Sequence, residues 1–191
     1  PEITAPTTDK ATYGTALKDI ALKGGKALVG GKEYEGTFSW KNGEEIPNVE
    51  NQGYTAVFTP EDANNLNSVE TTVAVALDKK EVTATPDAGQ AKTYGDADPA
   101  LTYTLDAPLV EGNEMTGALS RVSGDTVGDY EIVPGSLSAG LNYSLTVAKG
   151  VSFKVNQKAI TPVATAEDRE YKAGDTDAKV TVTLPEVLAA D

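Results

Sequence analysis

The stretch NYSLTVAKGVSFKV, residues 142–155, alternates along almost its whole length. Tyr143, Leu145 and Val147 fall on one face, and after Lys149-Gly150 the alternation resumes with Val151, Phe153 and Val155. A period of two is the signature of a half-buried strand. Two such runs around a short glycine-containing turn predict a β-hairpin with its turn at residues 148–150. The same period extends outward in both directions. PALTYTLD sets Leu101, Tyr103 and Leu105 against Thr102 and Thr104, and further on Val180, Val182 and Leu184 oppose Thr181 and Thr183. Towards the N-terminus GTFSW, GYTAVFTP and VETTVAVAL alternate likewise, which makes Phe38, Trp40, Tyr54, Phe58, Val73, Val75 and Leu77 the expected core residues. No segment carries a 3.6-residue apolar stripe, and LVEGNEM (109–115) has room for a single turn. The expected fold class is all-β, as small antiparallel modules in tandem.

Composition narrows the chemistry. The net charge of −13, from 29 acidic against 16 basic residues, repels phosphate backbones and anionic membranes, so neither nucleic acid nor membrane insertion is expected. Without cysteine there is no disulfide framework and no thiolate metal site. Histidine is absent too, which removes the usual base of nucleophilic triads and the commonest zinc ligand. Carboxylate pairs remain, but glycoside hydrolysis needs them across a substrate cleft, and small repeats rarely frame one. The chain reads as non-enzymatic. Pro1 and a Thr-rich opening, with no basic region before an apolar run, read as a piece of a longer protein.

Internal repeats set the organisation. KATYG at 10–14, KTYG at 92–95 and REY at 169–171 place Tyr13, Tyr94 and Tyr171 at comparable steps. VAVALDKKEVTAT (73–85) and FKVNQKAITPV (153–163) share the form strand, short Lys-containing link, strand. The expected modules are residues 1–79, residues 80–157, and residues 158–191 as the opening of a third.

One repeated stretch offers a candidate site. GDADPALTYTL (95–105) returns as GDTDAKVTVTL (174–184), with Asp96 and Asp98 echoed by Asp175 and Asp177. Paired carboxylates suggest calcium, yet calcium takes six to eight oxygens and each copy supplies two side chains. The recurrence of the neighbours favours a turn instead, in which Gly95 takes a conformation closed to other residues and the aspartates accept backbone N–H groups. Metal, cofactor and catalytic residues are therefore expected to be none. Tyr94 reads as a core tyrosine at a strand end rather than a ligand platform, and Trp40, on the face of Phe38, as core rather than a sugar platform. Glu111 and Glu114 read as a solvated loop, and KNGEE (41–45) as an Asn-Gly hairpin turn. A Lys-to-Asp or Lys-to-Asn crosslink needs a buried lysine. Lys154 alternates outward and is expected to be exposed.

Residues 80–157, with KTYGDADPALTYTL, LVEGNEMTGALSR, VGDYEI and LSAGLNYSLT, resemble the MBG domain of YGX type found in bacterial surface proteins and adhesins. Residues 159–184 are similar to the start of the related YDG domain, although Lys172-Ala173-Gly174 follows the tyrosine where that family has Asp-Gly. Residues 8–78 are similar to an Ig-like repeat, implying an Ig-like β-sandwich for the first module and a β-sandwich or β-grasp-like fold for the second. The resemblance implies an extracellular stalk or adhesin region on the cell wall of a Gram-positive bacterium, a monomer within a longer multi-domain chain. It carries over no catalytic residue. Two roles follow: a spacer that holds a distal domain away from the wall, or a module that binds host glycan or mucin. With most aromatic residues on expected core faces, the spacer is the favoured reading.

Overall fold

The alternating segments become strands, and in most of them the face they bury is the one the pattern marks. The structure is a computed structural model, which describes residues 2–168, 170, 173–174 and 179–184. Tyr54–Pro60 buries Ala56, Phe58 and Pro60, and it lies antiparallel between Gly36–Trp40 and Val69–Val73. Glu2–Thr4, Lys26–Val29 and Lys32–Glu33 make a second antiparallel sheet. Two short pairs complete this region: Thr7–Thr8 with Leu22–Lys23, antiparallel, and Ala11–Thr12 with Leu77–Asp78, parallel. Its core gathers Leu17, carried on the 3-10 turn Leu17–Asp19, with Ile20, Val75 and Leu77.

Phe58, Val73, Val75 and Leu77 are buried as expected, whereas Phe38, Trp40 and Tyr54 are only half-buried. The two polar-tipped rings each have a bonded tip, which lets one edge stay near water. Trp40 Nε1 donates to the Ile20 carbonyl at 2.8 Å, and the Tyr54 hydroxyl accepts the Asn48 amide at 3.0 Å. Residues 41–45 do turn, with the Glu45 amide donating to the Asn42 carbonyl. They are not a two-residue hairpin, because the strands they would join resume pairing only beyond residue 53. The loop is held instead by the 3-10 turn, whose Leu17 and Lys18 amides donate to the Glu45 and Gly43 carbonyls.

The central region corrects the hairpin expected at 142–155. Tyr143–Val147 and Ser152–Asn156 belong to different sheets. The first runs parallel to Lys80–Pro86, which pairs on its other side with Tyr103–Leu105. The second runs parallel to Ala91–Thr93 and antiparallel to Gly128–Val133, which continues to Ser120–Arg121. Residues 148–151 therefore carry the chain from one sheet to the other. The face assignment survives, since Tyr143, Phe153 and Val155 are buried and Ser144, Ser152 and Lys154 are exposed. Ala84 from one sheet and Ile132, Phe153 and Val155 from the other share one core with Leu119 and Leu137, so the two sheets face each other as a sandwich. No α-helix occurs among the described residues, and the fold is all-β with parallel pairs set among the antiparallel ones.

Beyond residue 157, Val163–Ala166 pairs antiparallel with Val180–Thr183, and both strands are exposed throughout. Tyr171, Asp175 and Asp177 lie outside the described residues. Among the described residues no strand pairing crosses residue 79 or residue 157.

Candidate functional site

Two places concentrate polar chemistry. The first is where the sequence pointed, at Asp98, but its partners come from elsewhere in the chain. Ala91–Thr93 delivers Lys92 and Ser120–Arg121 delivers Arg121 to one end of the four-stranded sheet. Their side chains are only 6% and 8% exposed. Arg121 grips Asp98 with two nitrogens, Nε to Oδ2 at 2.6 Å and Nη2 to Oδ1 at 2.9 Å. Lys92 Nζ stands 2.8 Å from both Asp98 Oδ1 and Asp125 Oδ1. The remaining Arg121 donors reach the Asp125 carboxylate and the Val122 and Gly124 carbonyls. The guanidinium lies over the Tyr130 and Phe153 rings, at 4.8 and 5.2 Å.

This geometry fixes the ionisation. The hydrogen bonds from Arg121, then those from Lys92, hold the Asp98 carboxyl down at about 2. Asp125 is lowered chiefly by its bond from Lys92, and Lys92 is raised by the same bond and by Asp98. Two cations already occupy the oxygens that calcium would need, and they repel a third. The expectation that Asp96 and Asp98 accept backbone amides also needs correction. Asp96 is exposed and joins the turn through its own amide, which donates to the Thr93 carbonyl at 3.0 Å, while Gly95 holds φ at +88°. The aspartate that does cap backbone is Asp106, whose Oδ1 accepts the Thr83 amide at 2.9 Å and whose acidity rises for that reason.

The crosslink chemistry expected to be absent at Lys154 meets a better-placed lysine in Lys92, which touches two carboxylates. Amide formation expels water from a neutral acid and a neutral amine. Arg121 keeps Asp98 ionised and the carboxylates keep Lys92 protonated, so the arrangement is an ion-pair lock. Lys154 itself is exposed.

The second place is a seam between the first set of sheets and the central sandwich. Tyr13 is 6% exposed, and its ring meets Tyr143 edge-on at 5.3 Å between Val82 and Ala139. Its hydroxyl donates to Asn113 Oδ1 at 3.0 Å. Alongside, the Val49 amide donates to Asn142 Oδ1 at 2.9 Å, and Asn142 Nδ2 donates to Asn48 Oδ1 at 2.8 Å. Val49 packs against both the first core and the seam. Only Lys79 separates the strand Leu77–Asp78 from Lys80–Pro86. The repeat marked Tyr13, but nothing in the sequence marked Asn48, Asn113 or Asn142, since loop asparagines show no period.

The remaining candidates lie at or near the surface. Glu111 and Glu114 are exposed. Tyr94 is half-buried against the central core and borders an open cleft with Lys92, Gly95, Asp96 and Asp125. Trp40 and Phe38 line another cleft, of about 360 Å³, with Lys18 and Ile20. Among the described residues no cluster of three or more acidic side chains could hold a metal.

A family model described as MBG domain (YGX type) matches residues 82–154. No curated protein and no solved structure matches significantly. That match takes in strands of both sheets of the central sandwich, the ion-pair lock and the Tyr143 side of the seam, and over these residues the chain is similar to the MBG domain of the YGX type.

Proposed function

We infer that this chain is a non-catalytic stretch of an extracellular stalk on a bacterial cell surface, built from modules that divide at residues 79–80 and 157–158. The observation that carries this reading is the seam. One residue links the strands on its two sides, and buried Tyr13 with the Asn48–Asn142 pair closes it. A short link with a packed joint resists bending, and resistance to bending is what a spacer requires. The ion-pair lock supports the same reading, because it ties two loops at one end of the sandwich without offering a reactive group. Small-angle scattering tests it. A globule of this length would have a radius of gyration of ~16 Å, and the stalk reading expects a value well above that with a long-tailed distance distribution. A globular profile would overturn it.

A second reading, recognition of host glycan or mucin, is favoured by the cleft at Trp40 and Phe38, since an aromatic wall beside polar groups suits a sugar face. A glycan array with the intact chain, repeated with Trp40→Ala, decides it: binding lost in the variant supports recognition, and no binding to the array removes it.

A further inference from the structure

The turn that follows Ala11–Thr12 and the turn that follows Ala91–Thr93 match bond for bond. Each strand runs parallel to the last strand before a link, with Thr12 opposite Asp78 and Thr93 opposite Asn156. The Tyr13 amide donates to the Asp78 carbonyl at 2.9 Å, and the Tyr94 amide donates to the Asn156 carbonyl at 2.8 Å. Gly14 and Gly95 both hold positive φ, at +101° and +88°. The residue after the glycine closes each turn: Thr15 onto the Thr12 carbonyl at 3.2 Å and Asp96 onto the Thr93 carbonyl at 3.0 Å. At the first turn this geometry presents Tyr13 and Gly14 to the next module. The glycine lets that module approach, because a Cβ on Gly14 would lie 3.1 Å from Val110 Cγ2.

The chain also leaves the two turns in the same way. Val82 stands four residues beyond Asp78 and is 2% exposed in the seam with Tyr13. Ile160 stands four residues beyond Asn156 and is 47% exposed. The hairpin that follows repeats the register of the central sandwich: Thr85 opposite Thr104 becomes Val163 opposite Thr183, with Thr85 seven residues beyond Asp78 and Val163 seven beyond Asn156. Among the described residues this hairpin lacks the third strand that Tyr143–Val147 supplies in the central sandwich, and its apolar side chains Val180 and Val182 are more than half exposed.

We propose that the Tyr94–Gly95 turn is a second docking seat, built like the one at Tyr13–Gly14, and that its occupant is the β module opened by the strand pair Val163–Ala166 and Val180–Thr183. Ile160 takes the place of Val82 against Tyr94, and the joint between modules is a repeated device with one geometry. The proposal rests on the stalk reading, which it deepens by specifying how each module is seated on the last.

The absence of cysteine makes the test direct, since introduced cysteines alone carry spin labels. The probe is the full chain. Labels at Thr37 and Glu131, both exposed, report the first joint, and labels at Glu131 and Thr165, which is exposed too, report the second. A narrow distance distribution across the second joint, like that across the first, is expected. Tyr94→Ala, and independently Ile160→Lys, should abolish the narrow component at the second joint and leave the first intact. Ile160→Lys lies outside the central sandwich, so it keeps the test valid if Tyr94→Ala unfolds that module. A broad second distribution beside a narrow first one would overturn the seat and leave the stalk reading standing. Short distances across both joints would overturn the stalk reading instead, because the modules would then lie side by side.

Discussion

Asp98 shows how far a single residue can be read. Its repetition as Asp177 pointed to a turn, but the sequence could not say that Arg121 and Asp125, far along the chain, would complete an ion-pair cluster around it. Ion pairs have no period, so only the fold reveals them. The lock predicts an acid dependence whose sign is fixed. Asp98 titrates at about 2 when folded, below the ordinary aspartate value of about 3.9. Its contribution is therefore complete above the unfolded value and is lost as pH falls through the folded one. Carboxyl chemical shifts should place the Asp98 midpoint near the lower value, and an ordinary aspartate midpoint would mean that the pair does not form in solution. Arg121→Lys keeps the charge but loses the two-nitrogen grip and the ring stacking, so it should lower the denaturant midpoint and raise the Asp98 midpoint together. Because Asp98 already faces two cations, micromolar calcium should leave the melting temperature unchanged; a clear rise reversed by chelator would show that the lock opens to metal.

At the scale of the element, period-two alternation proved a reliable guide to faces and a poor one to neighbours. It placed Phe153 and Val155 inward and Lys154 outward correctly, yet it could not distinguish a hairpin from a step between two sheets, because both bury one face of each strand. What decides the step is pairing. Tyr143–Val147 finds Lys80–Pro86 at its side, a partner more than fifty residues away whose register no local pattern encodes. Two substitutions probe this arrangement. Gly150 holds φ at +96° with no atom near its missing Cβ, so Gly150→Ala should cost about 1 to 2 kcal/mol from backbone strain alone. Phe153 is fully buried between the sheets, and Phe153→Ala should cost about 3 to 5 kcal/mol. Chemical denaturation measures both. Equal small losses would indicate that residues 148–155 form a peripheral hairpin after all.

Across the whole molecule the question is whether the seam couples the two regions that it joins. Each has its own core, and Val49 packs on the first core and on the seam at once. Removing Tyr13 would vacate a buried site between Tyr143, Val82 and Ala139 and strand the Asn113 carbonyl oxygen, a loss of about 3 kcal/mol by analogy with other large aromatic truncations. A coupling of that size is enough to make two small cores unfold together, since each alone holds only a modest margin of stability. Trp40, the only tryptophan, lies in the first region and touches its core, so its fluorescence reports that region alone, whereas amide exchange at Phe153 reports the central sandwich. In the native chain the opening free energies from the two probes should coincide. In Tyr13→Ala they should separate, with the first region opening at lower denaturant while the Phe153 amide keeps most of its protection, because the first region loses the support of the larger sandwich. Probes that already disagree in the native chain would mean that the seam is a contact without coupling, and the joint could then flex freely however well its residues fit.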